Sequence, residues 1–451
     1  MGTIVKDNYH KKSELLPQVS PPQIISSMEE LQIPEAVIEN LILKHLAAYP
    51  KSDVLQLASL LGIVTHLIED LLADLRKKAL VEVFQPAAHS IFSESAKSHV
   101  RYALSEQGQL EADTAFRKDA YIGPVPVSLK IYNEMVKSQD LRANLITRQD
   151  VEGALSDVYG AQRLVPVLGP AINSGRALLL YGHAGTGKSF VAARILNSLN
   201  TSVYVPHAVY AAGNIIKVFS EQHHKPIDTE HNREVISLKS HYDKRWVLCE
   251  RPNVQVGGEL TMDMLEVNHS EHNRIWIAPL QMIANNGILV IDDLGRQPMP
   301  VATLLNRWIV PMEYNYDHLS LPNGQQITIP FVLTMAFSTN LNPQKIADPA
   351  FLRRLGYKIQ FQALIESDYL NLWSDLSSGK GLEVLPSALE SLLSLHSLHN
   401  VGYFPCLPKD ILGISQDIIQ FEQIAPQVDS TILQRAWDLY FTADEQGESV
   451  L

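Results

Sequence analysis

Residues 177–189 have the sequence ALLLYGHAGTGKS, and this stretch decides the fold. Residues 177–181 are mostly apolar, as in a buried strand, and an amphipathic helical pattern follows at 190–199. Between them the spacing G-x-x-x-x-G-K-[ST] is filled by Gly182, His183, Ala184, Gly185, Thr186, Gly187, Lys188 and Ser189. In such a loop backbone N–H groups converge on phosphates, Lys188 reaches the β and γ phosphates, and the Ser189 hydroxyl is able to ligate Mg²⁺. The sequence therefore predicts a nucleotide-binding loop.

Bulk composition limits the class of protein. A chain of 451 residues with 46% hydrophobic and 19% charged residues predicts two or three globular domains. A net charge of −12 argues against a general attraction to nucleic acid or anionic lipid. Cys249 and Cys406 provide neither a disulfide framework nor metal-ligand spacing, which favours a reducing compartment. Without a membrane-spanning run or a signal-like start, we expect a cytoplasmic protein with no membrane insertion.

The first part of the chain predicts an α+β domain. Residues 1–34 are polar and proline-containing, which suggests a flexible arm. Within 35–117, helical patterns at 35–48, 53–61 and 65–79 precede strand patterns at 80–84 and 99–104, which flank a polar stretch at 85–98. This order, and the segment LLGIVTHLIEDLLADLRKKALV in particular, resembles the winged-helix domains of bacterial regulators.

The charges of the third predicted helix bear on what this winged-helix domain binds. The outward face carries Glu69, Asp70 and Asp74, which phosphates would repel. The basic residues Arg76 to Lys78 lie only at the C-terminal end, where they also suit the helix dipole. We therefore expect docking to a protein rather than to DNA, with DNA binding left open. Residues 118–145 are interpreted as a linker that contains a helix at 128–139.

Two carboxylates follow a second apolar strand pattern at 288–291. Because acids at the carboxyl end of a buried parallel strand lie where such sheets bind ligands, Asp292 is the candidate for holding Mg²⁺ and Asp293 the candidate for orienting the attacking water. The alternative is that the pair only caps the strand. A third strand at 332–338 leads to Asn340, which either hydrogen-bonds the γ-phosphate or lytic water or is an ordinary turn residue.

From residue 146 onward the order of these pieces resembles the AAA+ superfamily of ATPases. The resemblance implies an α/β phosphate-loop domain at 146–364, a helical lid at 365–451, and ATP with Mg²⁺ as ligands. It also implies that an arginine just before the last strand, Arg354 or failing that Arg353, enters the site of the neighbouring subunit. Lys409 at the start of a lid helix matches the second sensor of the family, although an exposed lysine there is more often simply solvated.

Two segments narrow the resemblance. A hairpin pattern at 318–330 resembles the AAA+ branch that includes the MoxR-like chaperone ATPases. The segments 278–297, 304–314 and 351–359 resemble bacterial AAA+ proteins described as ATPases with chaperone activity, some of which are linked to pilus assembly. Residues 208–286 are too long for a single helical crossover and are interpreted as an insertion. Residues 246–265 resemble an added hairpin and helix. The family resemblance implies that such an insertion faces the pore of a ring. Histidines there include His223, His224, His231 and His241, and their irregular spacing favours structural or solvated roles over metal binding.

These features predict a homo-oligomeric, hexameric ring that hydrolyses ATP and remodels or assembles a protein client. A DNA-associated loader or regulator is the alternative, because related ATPases of that class also carry two aspartates at this place. In the wider superfamily the second acid is usually Glu, so Asp293 also leaves open a nucleotide switch that hydrolyses slowly.

Overall fold

A computed structural model describes residues 16–17, 20–84, 100–143, 145–195, 201–227, 242–346 and 349–441. Several sequence-based predictions fall outside these residues: the polar stretch at 85–98, the end of the helix predicted at 190–199, and two of the four histidines, His231 and His241.

The strands and helices are numbered in chain order. The strands are β1 Leu16–Pro17, β2 Ser52–Asp53, β3 Val81–Phe84, β4 Arg101–Leu104, β5 Val127–Ser128, β6 Leu178–Gly182, β7 Thr201–Pro206, β8 Ala208–Ala211, β9 Asn214–Lys217, β10 Trp246–Glu250, β11 Asn253–Val256, β12 Asn268–Ser270, β13 Ile275–Ile277, β14 Ile288–Ile291, β15 Tyr316–Ser320, β16 Gln326–Pro330, β17 Thr334–Thr339, β18 Tyr357–Phe361, β19 Glu383–Val384 and β20 Gln427–Val428. The helices are α1 Met28–Leu31, α2 Glu35–Ala48, α3 Val54–Leu61, α4 Thr65–Lys77, α5 Glu106–Lys118, α6 Leu129–Ser138, α7 Arg148–Ala154, α8 Val165–Ser174, α9 Lys188–Ile195, α10 Leu280–Ile283, α11 Val301–Tyr314, α12 Pro343–Ile346, α13 Pro349–Arg354, α14 Glu366–Lys380, α15 Pro386–Leu398, α16 Cys406–Glu422 and α17 Ser430–Tyr440.

The central sheet has five parallel strands in the order β11-β14-β17-β6-β18. The chain enters at β6, moves to the far edge at β11, returns through β14 and β17, and then passes β6 to reach β18. The connections that follow the adjacent strands β6 and β17 therefore run across the sheet in opposite directions. In open parallel sheets a reversal of this kind leaves a ligand-binding crevice at the carboxyl ends of the strands.

Both faces of the central sheet are buried. Along β14, Ile288 and Val290 pack into the hydrophobic cluster on one face, whereas Leu289 and Ile291 pack into the cluster on the other. Helices α8 and α9 cover the first face, and α6 and α11 cover the second. Because both side-chain directions are buried, β14 consists of four apolar residues without alternation.

Within its described residues, the first domain contains the four helices α2 to α5 and a small antiparallel sheet of order β2-β4-β3. Asp53 forms a capping box at the start of α3, and Gly62 ends that helix at a φ of 69°. Helix α5, which packs on α2, was not predicted because its buried side chains are mainly alanines, which give a weak hydrophobic period. Among the described residues no single helix is long and apolar enough to cross a membrane; α3 and α4 reach that length only as a pair bent by 111°.

Part of the segment predicted as a flexible arm is packed. Leu16–Pro17 pairs in parallel with β7, and α1 follows at Met28–Leu31. Leu31 is fully buried in the core of the first domain. One apolar anchor within a polar, proline-containing stretch is too little for a sequence pattern to reveal.

The segment predicted as a single insertion, 208–286, also contains part of the central sheet. Trp246–Glu250 pairs with β7, Asn253–Val256 is the edge strand beside β14, and only a short 3-10 helix at Met262–Leu265 replaces the predicted helix. The remaining strands join β5 in a second sheet of order β12-β13-β9-β8-β5. The predicted linker thus contributes a strand to this second sheet, and its helix α6 packs on the central sheet through the buried Tyr132.

The first domain and the second sheet share a hydrophobic core. Ala208 and Ile215 of the second sheet belong to the same buried cluster as the helices of the first domain. At the junction, Arg245 is 1% exposed and pairs with Asp243 at 2.7 Å, and its backbone and side chain pack against Gly62. The Asp243 N–H also donates to the carbonyl of Pro22 at 3.0 Å. The two units are therefore fixed to each other.

The hairpin predicted at 318–330 is present as β15 and β16. Beyond β18 the chain forms the C-terminal helical domain, defined here as α14 to α17, with the short parallel pair of β19 and β20. Its core is apolar and includes the buried residues Trp373 and Trp437. Helical patterns of the sequence at 367–377, 386–396, 407–422 and 431–441 coincide closely with these four helices.

The junction provides a stability prediction. Replacing Arg245 by Met leaves the Asp243 carboxylate buried without its counter-ion, and we expect a loss of about 3–5 kcal/mol. As a control, Arg148→Met removes an exposed ion pair with Glu152 and is expected to change stability by no more than about 0.5 kcal/mol. Urea unfolding, followed through each transition, measures both. Equal midpoints for the two variants would contradict a structural role for the buried pair.

Candidate functional site

One cavity of about 790 Å³ opens at the carboxyl ends of β6, β14 and β17 and extends to the C-terminal helical domain. Most of the predicted site residues line it: Ala184, Gly185, Thr186, Gly187, Lys188, Ser189, Asp292, Asp293, Asn340 and Lys409. Gly182 and His183, which begin the loop, are not among the lining residues, and neither are Arg353 and Arg354. The structure thus brings together residues that are more than two hundred positions apart in the sequence.

Three glycines set the course of the phosphate loop. Gly182, Gly185 and Gly187 have φ angles of 145°, 75° and 88°. These conformations are accessible to glycine but costly for residues with a Cβ. At Gly182 a Cβ would also lie 2.2 Å from the carbonyl oxygen of Phe361, so the missing side chain lets β6 and β18 end side by side.

Lys188, the first residue of α9, is held inside the loop. It is 6% exposed, and its Nζ donates hydrogen bonds to the carbonyl oxygens of Gly182 at 2.9 Å and His183 at 2.8 Å. Burial lowers the pKa of Lys188, while the carboxylates of Asp292 and Asp293 oppose that change because they stabilise the ammonium. The positive charge of the loop and the two acids therefore face one space.

Asp292 accepts hydrogen bonds on both carboxylate oxygens. Gln255 Nε2 donates to Oδ2 at 3.0 Å, and the backbone N–H of Asp293 donates to Oδ1 at 3.0 Å. Burial alone raises the pKa of Asp292, but the Ser189 hydroxyl and these donors stabilise the ionised form, so the pKa lies below its usual range. An ionised carboxylate beside a serine hydroxyl is an oxygen donor set that suits Mg²⁺.

Asp293 has a left-handed backbone conformation with a φ of 49°. Such angles are uncommon for residues other than glycine, although aspartate tolerates them better than most. The turn that follows is fixed on one side by the Leu294 N–H, which donates to the carbonyl of Ser338 in β17 at 2.8 Å. The Arg296 N–H donates to the carbonyl of Asp293 at 3.0 Å. The second acid is thus presented to the cavity from a tight turn.

The end of β17 supplies further polar atoms. Asn340 lies at the cavity and is exposed, directly after the strand. Ser338 is 1% exposed and lines the cavity beside Asp292. Its hydroxyl is one of the groups that stabilise the ionised Asp292 carboxylate and lower the pKa of that group.

The C-terminal helical domain closes the other side of the cavity. The Cys406 N–H donates to the carbonyl of Gly185 at 3.3 Å. A Cβ added to Gly185 would lie only 2.2 Å from the Cys406 Sγ atom. Lys409 is in the first turn of α16, where the helix dipole does not favour a cation but does favour a bound anion. The ring of His183 lies 5.8 Å from that of Phe404, centroid to centroid. The phosphate loop therefore contacts both domains.

The two arginines lie at the end of α13 and are exposed. Arg354 Nε is 3.5 Å from Glu313 Oε2, a contact with the end of α11 in the same chain. Neither arginine borders the cavity of its own chain. Their position does not by itself assign them to any site.

Among the histidines of residues 208–286, His223 and His224 are neighbours in the described part of the chain. No group of three or more His, Cys, Asp or Glu side chains suited to a metal ion occurs among the described residues. His224 is buried: its Nδ1 accepts from the Ser220 N–H and its Nε2 lies 3.0 Å from the carbonyl of Ile283. Burial lowers the pKa of His224 to about 4, so the ring is neutral and structural.

Sequence patterns did not identify Gln255, Gln297, Ser338 or Cys406 as parts of this site. Gln255 lies in β11, which the sequence analysis placed in an insertion, and the others belong to no motif. A parallel sheet with a glycine loop, a buried lysine and an acid pair at one edge defines a phosphate-loop α/β protein. The glycine cradle, the Lys188 ammonium and the ionised Asp292 carboxylate beside the Ser189 hydroxyl fit a nucleotide polyphosphate with a divalent cation.

Comparisons with known proteins add a partial match. The model of the domain of unknown function DUF8689 matches residues 365–439, which make up most of the C-terminal helical domain. No curated protein sequence matches the chain. The RuvB Holliday junction branch migration motor of Thermotoga maritima is similar at 14% identity and a TM-score of 0.36, over 68% of this chain and 73% of that chain. NtrX from Brucella abortus is similar at 13% identity and a TM-score of 0.39, over 75% of this chain and 62% of that chain. These TM-scores are too low to support an argument, so the class rests on strand order and site geometry.

The contact between Gly185 and Cys406 is testable through stability. Gly185→Ala places a methyl group against the Cys406 thiol at a positive φ, and we expect a loss of about 1–2 kcal/mol from the backbone conformation plus about 1–3 kcal/mol from the clash. Gly187→Ala, with a similar φ and open space, is expected to show only the first loss. Adding Cys406→Ala should restore the part of the stability that Gly185→Ala loses through the clash. The same addition should not stabilise Gly187→Ala. Thermal unfolding measures this, and rescue of both variants or of neither would contradict the contact.

Proposed function

We propose that this protein is an ATPase of the AAA+ superfamily that binds and hydrolyses ATP. One observation carries the proposal: the glycine loop with Lys188, the carboxylates Asp292 and Asp293, Asn340 and Lys409 all border a single cavity. A glycine loop alone indicates phosphate binding, whereas acids and polar side chains around the same space also provide for chemistry at the terminal phosphate.

Each residue has a distinct proposed role. The loop N–H groups and the Lys188 ammonium bind the β and γ phosphates, and Ser189 and Asp292 hold Mg²⁺. The metal, when bound with the nucleotide, neutralises charge on the phosphates. Asp293 orients the attacking water and accepts its proton, and Asn340 holds the water or the γ-phosphate. Lys409 binds the γ-phosphate from the C-terminal helical domain, which acts as a lid.

We propose that the site is completed by a second copy of the chain in a hexameric ring. A loose phosphoryl-transfer transition state gains from a further positive charge, and an arginine is suited to supply it. The location of Arg354 and its neighbour Arg353 at an exposed helix end, away from the cavity of their own chain, supports delivery to a neighbouring subunit.

We further propose that the motor remodels or assembles a protein client, as MoxR-like chaperone ATPases do, and that the first domain docks that client. In DNA-binding proteins of the winged-helix type, the N-terminal residues of the third helix contact the base edges. In α4 this end is contacted by the chain itself, because His66 Nε2 lies 2.7 Å from the carbonyl of Ser26. The outward residues Glu69 and Asp70 are exposed acids. Both features favour a protein partner.

The alternative is a DNA-associated loader or regulatory ATPase. It is favoured by a shallow pocket beside the exposed Arg76 and Lys77, at the C-terminal end of α4. Because the first domain shares its core with the second sheet, binding is measured on the full chain. A DNA affinity that falls steeply with salt supports the alternative, and no measurable affinity supports protein docking. Affinity capture with Asp293→Asn in ATP, compared with Lys188→Ala, then seeks a client held only in the ATP state.

The third possibility is a nucleotide switch with very slow hydrolysis. Aspartate is one methylene shorter than glutamate, so the water must approach the backbone of the acid more closely. Single-turnover hydrolysis distinguishes a switch from a motor.

We expect a division of roles between loop and acid. Lys188→Ala removes the ammonium that binds phosphate and should abolish ATP binding. Asp293→Asn preserves the shape and should keep binding while turnover falls by about 10²- to 10⁴-fold, the usual range for a general base. Equilibrium binding of labelled ATP and steady-state phosphate release measure the two effects. An equal loss of binding in both variants would refute these assignments.

Mixing experiments test the second-subunit arginine. Arg354→Ala and Lys188→Ala are each expected to be nearly inactive alone. In a mixture, the intact loop of the first variant meets the intact arginine of the second, so part of the turnover should return. A mixture of Lys188→Ala with Asp293→Asn is the control and places no restored site at any interface. The absence of recovery in mixed rings, or turnover per subunit that is independent of ring assembly, would argue against the role of Arg354.

A further inference from the structure

The left-handed conformation of Asp293 needs support from its surroundings. A non-glycine residue keeps a φ of 49° only where the surrounding structure holds it in that conformation. No other residue between Asn286 and Asn315, glycine excepted, has a positive φ among the described residues. The proposed water-orienting acid is therefore the one non-glycine residue of this region that is held in such a conformation.

The side chain of Gln297 surrounds this turn with hydrogen bonds. It is 8% exposed, and its Nε2 donates to the carbonyl oxygens of Asp292 at 3.0 Å, Gly257 at 3.2 Å and Asp293 at 3.3 Å. Its Oε1 accepts from the N–H of Gly295 at 2.9 Å. Because the amide nitrogen carries two hydrogens, one N–H is shared between two of these three carbonyls, and both donors and one acceptor position of the amide are thus directed at backbone groups around Asp293.

We propose that Gln297 is a positioning residue that holds Asp293 in its left-handed conformation and thereby aims the proposed water-orienting carboxylate; this inference rests on the proposed ATPase function. The geometry gives the reason. The carbonyl of Asp292 belongs to the peptide plane before the Cα of Asp293, and the carbonyl of Asp293 belongs to the plane after it. An amide that binds both carbonyls fixes both φ and ψ of Asp293.

The turn that Gln297 supports is also tied to the two strands on either side of β14. The Gln297 hydrogen bond to the carbonyl of Gly257 ties the turn to the end of β11, where Gln255 binds the Asp292 carboxylate. On the opposite side, the turn is fixed to β17 by the Leu294 N–H. The orientation of both acids is therefore set jointly by the ends of three neighbouring strands.

The short side chain of Asp293 makes this support important for catalysis. Aspartate has only two side-chain torsions, so a change in its backbone moves the carboxylate almost directly. Displacements of about 1 Å at a reacting group cost up to about 100-fold in rate. The loss of Gln297 should consequently lower turnover without weakening the loop that binds the phosphates.

The test compares two buried glutamines. Gln297→Met keeps the volume and removes every hydrogen bond, and Gln297→Glu keeps the acceptor for the Gly295 N–H but loses the donor. Gln139→Met is the matched control: Gln139 is fully buried, accepts from the Tyr204 N–H at 2.6 Å and donates to the Tyr204 carbonyl at 3.1 Å, away from the cavity. The measurements are kcat, KM for ATP, affinity for a non-hydrolysable ATP analogue, and hydrogen–deuterium exchange of peptides covering 288–298.

Both Gln297 variants are expected to lower kcat by about 10- to 100-fold with little change in analogue affinity, and to speed exchange at 293–295. Gln139→Met should change kcat only in proportion to the folded fraction. The inference would be overturned if the Gln297 variants lost kcat only in proportion to the folded fraction, as expected for Gln139→Met, or if analogue affinity fell as much as kcat. Unchanged exchange at 293–295 would also overturn it. If the wild type hydrolyses no ATP, the proposed function fails separately, and exchange alone decides whether Gln297 holds the turn.

Discussion

The close approach of Gly182 to the carbonyl of Phe361 is the contact on which the site depends. A Cβ at Gly182 would stand 2.2 Å from that oxygen, so only glycine lets the end of β6 lie beside the end of β18. The same residue, at a φ of 145°, starts the loop that turns back over Lys188. Strand pairing on one side and loop closure on the other are therefore joined at one backbone position. The site forms here because the connections that follow the adjacent strands β6 and β17 run in opposite directions across the sheet.

The charges of the site are kept in a buried setting by backbone groups and amides rather than by bulk water. Lys188 donates hydrogen bonds to carbonyls of its own loop. The Asp292 carboxylate accepts hydrogen bonds from the Gln255 amide and from the Asp293 N–H. Charged groups at half-buried positions need such partners, since unpaired burial is costly. This arrangement keeps an ammonium and a carboxylate close together. The C-terminal helical domain adds a hydrogen bond from Cys406 to the loop, so the two domains meet at the backbone of the glycine loop.

The predictions that succeeded concern features with a local cause. The strand before the loop, the apolar strand before the acids and the hairpin at β15 and β16 follow from short patterns and turn residues. The predictions that failed concern pairing between distant segments. Asn253–Val256 was assigned to an insertion, although it forms the edge of the central sheet, because four residues of mixed exposure carry no signal of their partner. The packing of Leu31 and the helix α5 were missed for the same reason: their burial depends on distant surfaces.

By itself, the sequence determined the phosphate loop, the two acids and the helical character of the C-terminal domain, because spacing and periodicity encode local conformation and the direction of side chains. It also pointed to Asn340 and Lys409, whose chemical roles remain predictions. Only the tertiary structure decided that these residues border one cavity, that Gln255 and Gln297 hold the acids, and that the first domain shares a core with the second sheet. Those facts depend on contacts between residues far apart in the chain, and such contacts are selected by the packing of the whole molecule rather than by any short segment.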